Sequence, residues 1–209
     1  MRYIKRIIFL SWFTIIYNLI EGFISIGFGI SDEAISLAGF GGDSLIEVGS
    51  AFLILWRFRD VQNQEATLSI ERERRATFGI GVLFIILASI TIVASILQLV
   101  LKSHPETTVP GIIISLLSLS FMFYLWSAKK QVAKQLNSSA VMKDADCSLA
   151  CIKLSIVLFC GSLLFLSFPF LWWVDSLAAL VLSFIIGRDG ISALRATRRE
   201  DFAGGCGCV

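Results

Sequence analysis

The sequence AISLAGFGGDSLIEVGSAFLILW, from Ala34 to Trp56, is an apolar run that contains two acids, Asp43 and Glu47. The run is long enough to cross a bilayer, because a spanning helix needs about 20 mostly apolar residues. Residues four apart lie on one face of a helix, so the two carboxylates point the same way, one turn apart. A charged group at the bilayer centre costs at least about 2.5 kcal/mol, so the pair indicates a bound ion, a proton relay or a buried counter-charge.

The composition favours a membrane protein. The chain has 209 residues, of which 56% are hydrophobic and 16% charged, and its mean hydropathy is +0.80. Soluble domains carry about 25% charged residues. The net charge of +2 does not indicate a nucleic-acid partner, and the five cysteines lack the spacing of a secreted disulfide framework, which favours reduced thiols. No nucleophile–base set or phosphate-binding loop is present, so we do not expect an enzyme.

Six apolar segments are predicted to span the bilayer: Ile7–Ile30, Ala34–Arg57, Ala76–Leu101, Val109–Ala128, Ala145–Leu166 and Leu171–Leu194. Basic residues are concentrated before span one, in the links after spans two and four, and in the tail. The link after span four begins with Lys129. The positive-inside rule therefore places both termini in the cytoplasm. We predict an all-α polytopic membrane protein, with six transmembrane helices in residues 1–195 and a short cytoplasmic tail in residues 196–209.

The beginning of span five carries Asp144, Cys147 and Cys151, whose spacing places all three on one side of a helix. Thiolates and carboxylates together suit a borderline-soft metal such as zinc, although cysteine also packs in membrane helices as a small apolar residue. At 1.5 Å per residue, Glu47 lies about 20 Å from Ala34, near mid-bilayer. Cys147 lies only about two residues into the apolar part of span five. The two pairs are therefore expected at different depths unless span five protrudes or its turn comes before Leu166.

Other polar residues are accessory candidates. Glu21 and Asn18 lie within span one and either take part in function or form hydrogen bonds between helices. Cys206 and Cys208 form a Cys-x-Cys in the tail, which could chelate a soft metal, be acylated or remain uninvolved. The alternative to an ion site is neutralisation of the acids by a base, and we expect Lys153 of span five to be that base.

The motif around the acid pair, Phe40-Gly41-Gly42-Asp43-Ser44-Leu45-Ile46-Glu47-Val48-Gly49-Ser50, resembles the second span of the cation diffusion facilitator family. Glu47 stands where that family usually has a second aspartate. Asp144, Cys147 and Cys151 fall at three positions where the family has an aspartate, a His or Asp, and an aspartate. Trp173-Val174-Asp175-Ser176-Leu177-Ala178 is similar to the start of its sixth span. The chain resembles a short branch that lacks the family's cytoplasmic metal-binding domain.

This resemblance implies export of a divalent metal in exchange for protons, by alternating access. Zinc is the first expectation, with cadmium, cobalt, iron or manganese as other candidates, and the metal is the transported substrate rather than a cofactor. Spans two and five would supply the ligands, Asp43, Glu47, Cys147 and Cys151, with Asp144 beside them, and the thiols would favour softer metals. The resemblance also implies a homodimer.

Two other functions remain open at this point. One is a non-transporting metal-binding or regulatory membrane protein on the same scaffold, and the other is a transporter or channel for another cation or small substrate. The compact size and the absence of organelle-targeting features favour a bacterial inner membrane.

Overall fold

The part of the chain that the structure describes is all-helical, as predicted. A computed structural model describes residues 2–31, 35–58, 66–102, 109–168, 170, 173–199, 202 and 204, excluding the side chains of 29–31, 35–39, 66–69, 109–115, 158, 161–167 and 175. The described residues form six helices: α1 (Arg2–Ser31), α2 (Ile35–Arg57), α3 (Ala66–Leu101), α4 (Val109–Leu136), α5 (Ser139–Ser167) and α6 (Val174–Arg198). Within the described residues, three segments are long and apolar enough to cross a membrane, namely Arg2–Phe28, Ile70–Leu101 and Ser176–Arg198.

Helix α1 has its polar face inside the bundle and its apolar face outside. The buried face carries small or ionisable polar residues at intervals of three or four: Ser11, Thr14, Asn18, Glu21 and Ser25. The exposed face carries large apolar residues at the same intervals: Phe9, Trp12, Ile16, Ile20 and Phe23. A helix on the surface of a soluble protein has the reverse arrangement. Lipid accounts for this one, because intramembrane ionisable groups face the bundle interior.

Several helices continue beyond the apolar segments from which they were predicted. Helix α3 begins at Ala66 and α5 at Ser139, in both cases before the apolar segment, and α4 continues to Leu136. Lys129, which was assigned to a link, therefore lies inside α4. Apolar length detects the lipid-facing part of a helix, and it does not show where a polar end continues as helix.

A tight turn joins α4 to α5. Asn137 has a positive φ of 46°, a conformation that asparagine tolerates, and the Ser138 N–H donates to the Ala133 carbonyl over 3.2 Å, as in a Schellman motif. The Ser138 Oγ then accepts from the Val141 N–H over 3.2 Å and caps the N-terminus of α5. Because the turn is so short, residues equally far before and after it face one another across the helix pair.

The helices pack mainly in pairs, and α1, α4 and α5 pack around the acids of α2. The most extensive contacts join α1 to α2, α3 to α6 and α4 to α5; α2 also contacts α5, and α1 contacts α4. At the α1–α2 crossing, a Cβ at Gly41 would lie 2.9 Å from the Gly22 carbonyl oxygen, so only glycine allows this approach. The close crossing agrees with the small residues in both segments.

One end of the bundle is held by a set of polar contacts that we call the Glu73 junction. The Glu73 Oε2 pairs with Arg57 Nε at 2.5 Å, and its Oε1 accepts from the Ser138 Oγ at 2.5 Å and from the Ala140 N–H at 2.9 Å. The backbone N–H of Ser139 donates to the Gly204 carbonyl over 3.0 Å. The C-terminal end of α2, the first turns of α3, the α4–α5 turn and Gly204 therefore meet at the same end of the bundle.

Candidate functional site

Asp43 and Glu47 lie on the inner face of α2 and are almost completely buried, at 3% and 0% exposure. The Glu47 Oε1 accepts a hydrogen bond from the Ser148 hydroxyl of α5. The Cys151 thiol donates to the Glu47 Oε2 over 3.2 Å, and Asp43 lies beside the same thiol. The buried Asp43 Oδ1 makes no hydrogen bond among the described residues. This acid pair therefore has an acceptor oxygen that nothing in the described part of the fold satisfies.

Glu47 and the thiols of α5 lie at the same depth, because the exception to the expected difference applies: α5 begins at Ser139, well before its apolar part. The contact between Glu47 and Cys151 places them at the same level. Each lies about 18 Å from the first residue of its helix, and the two helices run in opposite directions. Cys147 is buried nearby, and both cysteines are free thiols.

Lys129 of α4 is the base that enters this site, and the expectation that Lys153 would do so is wrong. The Lys129 Nζ is fully buried and lies 3.4 Å from the Glu47 Oε1 and 3.1 Å from an Asp144 oxygen. Lys129 also donates to the Ser148 Oγ over 3.1 Å. Lys153 is half-buried and pairs with no acid whose side chain the structure describes.

A sequence signal for Lys129 existed. Lys129 precedes the α4–α5 turn by about as many residues as separate that turn from Asp144 and Ser148. Because α4 and α5 form a tight antiparallel hairpin, these residues face each other. Lys129 directly follows an apolar run, so apolar length alone places it in a cytoplasmic link and does not predict this pairing.

Asp144 is fully buried but faces Lys129 rather than the thiols. Its Oδ1 accepts from the Ser50 hydroxyl over 2.5 Å, and its Oδ2 is in ion-pair contact with Lys129 without a well-formed hydrogen bond. Among the side chains that the structure describes, no three His, Cys, Asp or Glu residues have an arrangement that could hold a metal ion. In this conformation, then, the predicted ligands are neighbours within one buried region, with the lysine among them.

The buried region has a surplus of negative charge. Three acids, Asp43, Glu47 and Asp144, lie in this region with one base, Lys129, which contacts Glu47 and Asp144, so with each group in its usual ionised form two negative charges are left over. Buried charges are normally paired or coordinate a metal. A single divalent cation would balance this surplus.

Glu21 and Asn18 form a polar extension of the site on α1. The Glu21 Oε2 accepts from the Ser44 hydroxyl over 3.1 Å, and its Oε1 accepts from the Tyr17 hydroxyl over 3.2 Å. The Asn18 Nδ2 donates to the Thr14 carbonyl over 3.0 Å, while its buried Oδ1 makes no hydrogen bond among the described residues. Glu21 thus contacts the serine that follows Asp43 in the sequence.

The tail cysteines, Cys206 and Cys208, lie outside the described residues. The predicted role of their Cys-x-Cys therefore stays a prediction.

Comparison with known proteins supports membrane insertion. No family model matches the chain. The chain is 28% identical over 193 residues to Transmembrane protein 163 of Xenopus laevis, an alignment that covers 92% of this chain and 67% of that protein. Together with the three apolar helices, this similarity identifies a membrane protein. Because this relative comes from a vertebrate, the comparison does not support the predicted bacterial inner membrane.

Proposed function

We propose that the protein is a transporter of divalent metal cations, with zinc as the first substrate and softer ions such as cadmium next. The observation that carries the proposal is the buried surplus of two negative charges around Asp43, Glu47 and Asp144. Such a surplus is unfavourable in a bundle interior unless a cation reaches it. The neighbouring thiols of Cys147 and Cys151 add ligands that suit borderline-soft ions.

The proposal includes proton-coupled efflux by alternating access. The carboxylates would bind the cation when the site opens to one side of the membrane and take up protons when it returns without cargo. Ser44, Ser50 and Ser148 already hydrogen-bond to acids of the site and would hold those acids in place during the exchange.

The proposal also includes a topology of six spans with both termini in the cytoplasm. The Glu73 junction supports this arrangement, because it brings the helix ends that flank the two basic links, together with Gly204, to one end of the bundle. A homodimer within the membrane belongs to the proposal by resemblance to the cation diffusion facilitator family. Both points can be tested separately from transport.

A second candidate function is a metal-binding or regulatory membrane protein that does not transport. The observation that favours it is Lys129, whose ammonium contacts two of the three carboxylates in the described conformation. A lysine that stayed there permanently would reduce the site to a partly neutralised structural cluster. This candidate predicts metal binding without flux.

The test is zinc and cadmium uptake into proteoliposomes under an imposed pH gradient, comparing wild type with Asp43→Ala. The proposal predicts gradient-dependent uptake that is lost in the variant. Asp146→Ala is the matched control, since Asp146 lies on α5 but is partly exposed and pairs with Lys143 at 3.3 Å instead of facing the site. Uptake should survive in this control.

Two results would contradict the proposal. Wild type that binds metal but gives no flux for either ion would favour the non-transporting function. Equal flux in wild type and Asp43→Ala would remove the acid pair from the transport path.

A further inference from the structure

We propose that Lys129 is a tethered cation that occupies the site in the absence of metal and is displaced by the arriving divalent ion. This inference rests on the proposed function and assigns a role in metal binding and release to a residue of α4, outside the ligand helices α2 and α5.

The first support is where the ammonium lies. The Lys129 Nζ contacts Glu47 of α2 at 3.4 Å and Asp144 of α5 at 3.1 Å, so one positive charge bridges acids from two different helices. A metal ion bound between α2 and α5 would need these same carboxylates. Lysine and metal therefore compete for one position.

The second support is how loosely the lysine is held. Its contacts with the two carboxylates, at 3.4 Å to Glu47 and 3.1 Å to Asp144, are both longer than the 2.7–2.9 Å that is usual for charge-assisted bonds. Its third partner, the Ser148 hydroxyl, also donates to Glu47 and can reorient. The Arg57–Glu73 pair, at 2.5 Å, is much shorter.

The position of Lys129 allows its ammonium to move away from the two carboxylates. Lys129 lies in the last two turns of α4, which ends at Leu136, and its four-carbon stem is flexible. Lysines near the ends of membrane helices extend their ammonium groups toward the polar boundary. Such a movement would free both carboxylates for a metal while keeping the lysine close enough to return after release.

The experiment compares wild type with Lys129→Met, which removes the charge but keeps a long apolar stem. Cadmium affinity is measured by calorimetry in detergent. The KM and kcat of cadmium flux are measured in proteoliposomes. Removing one positive charge from a buried site should tighten cadmium binding by ~10-fold or more. KM should fall with it, and kcat should fall because release becomes slower.

Two further variants separate this role from a structural one. Lys129→Arg keeps the charge and should keep an affinity close to wild type. The double variant Lys129→Met/Asp144→Asn removes the competing ammonium together with one of the two carboxylates that it occupies, and should return the cadmium affinity toward wild type. Lys130→Met is the control, since the Lys130 Nζ lies 4.6 Å from the Trp126 ring centre rather than in the site.

The outcomes distinguish this inference from the proposed function. Unchanged or weaker cadmium binding in Lys129→Met would overturn the inference, even if wild type transports. If Lys129→Met does not fold, the double variant decides, because an affinity far from wild type would overturn the inference. Tighter binding in Lys129→Met, when wild type shows no flux, would support competition between the lysine and the metal and contradict transport.

Discussion

Two buried regions of this molecule combine acids, a base and serines, yet their polar atoms are satisfied to different degrees. In the Glu73 junction, both carboxylate oxygens of Glu73 have partners, among them Arg57, Ser138 and the α5 backbone. In the cluster around Lys129, the one base contacts two of three acids, Glu47 and Asp144, and the Asp43 Oδ1 makes no hydrogen bond among the described residues.

The difference indicates what each region does. A fully paired buried charge fixes helices relative to one another, since removing either partner leaves the other uncompensated. A region with excess negative charge and an unsatisfied acceptor oxygen is unfavourable as architecture alone, and a mobile cation accounts for it. We therefore assign the Glu73 junction to stability and the Lys129 cluster to function.

The largest expected effect on stability comes from Glu73→Gln. The change leaves the Arg57 guanidinium without its anionic partner and should destabilise the protein by about 3–5 kcal/mol, measured as a loss of thermal stability in detergent. Glu71→Gln is the matched control, because the Glu71–Arg75 pair is exposed and should contribute about 1 kcal/mol or less. Equal, small effects of the two changes would mean that the junction does not hold the bundle.

The next effect sharpens the chemistry of the site. Cys151→Ser replaces the thiol that contacts Glu47 and should weaken cadmium binding by roughly 10-fold, since a hydroxyl is a harder ligand than a thiolate. Manganese binding should change less. Cys160→Ser is the control, because Cys160 is exposed on the same helix. Cadmium affinity that is unchanged in Cys151→Ser would show that this thiol is not a metal ligand.

The smallest expected effects come from two serines, Ser138 at the Glu73 junction and Ser148 in the cluster around Lys129. Ser138→Ala removes the N-cap of α5 and should cost about 1 kcal/mol of stability without changing metal affinity. Ser148→Ala should change cadmium affinity, because Ser148 contacts both Glu47 and Lys129. Thermal stability and calorimetric affinity, measured on both variants, check the pair. A change of cadmium affinity in Ser138→Ala, with none in Ser148→Ala, would contradict the assignment of the Glu73 junction to stability and the Lys129 cluster to function.

The sequence predicted the helices and the acid pair better than it predicted the partners of these acids. Apolar length and the spacing of Asp43 and Glu47 depend on local periodicity, which a single segment displays. The partnership with Lys129 depends on the register of the α4–α5 hairpin, which the turn at Asn137 decides. Glu73 was not recognised for the same reason, since it lies in a polar stretch that apolar length does not detect as helix.

The most direct test of this account is zinc flux per folded molecule in proteoliposomes, measured side by side for Glu47→Gln and Glu73→Gln. Both variants neutralise a buried glutamate, so the comparison isolates where the charge lies. We predict that Glu47→Gln reduces flux to the liposome background, while folded Glu73→Gln transports at close to the wild-type rate. Wild-type flux in Glu47→Gln, or loss of flux only in Glu73→Gln, would contradict the account.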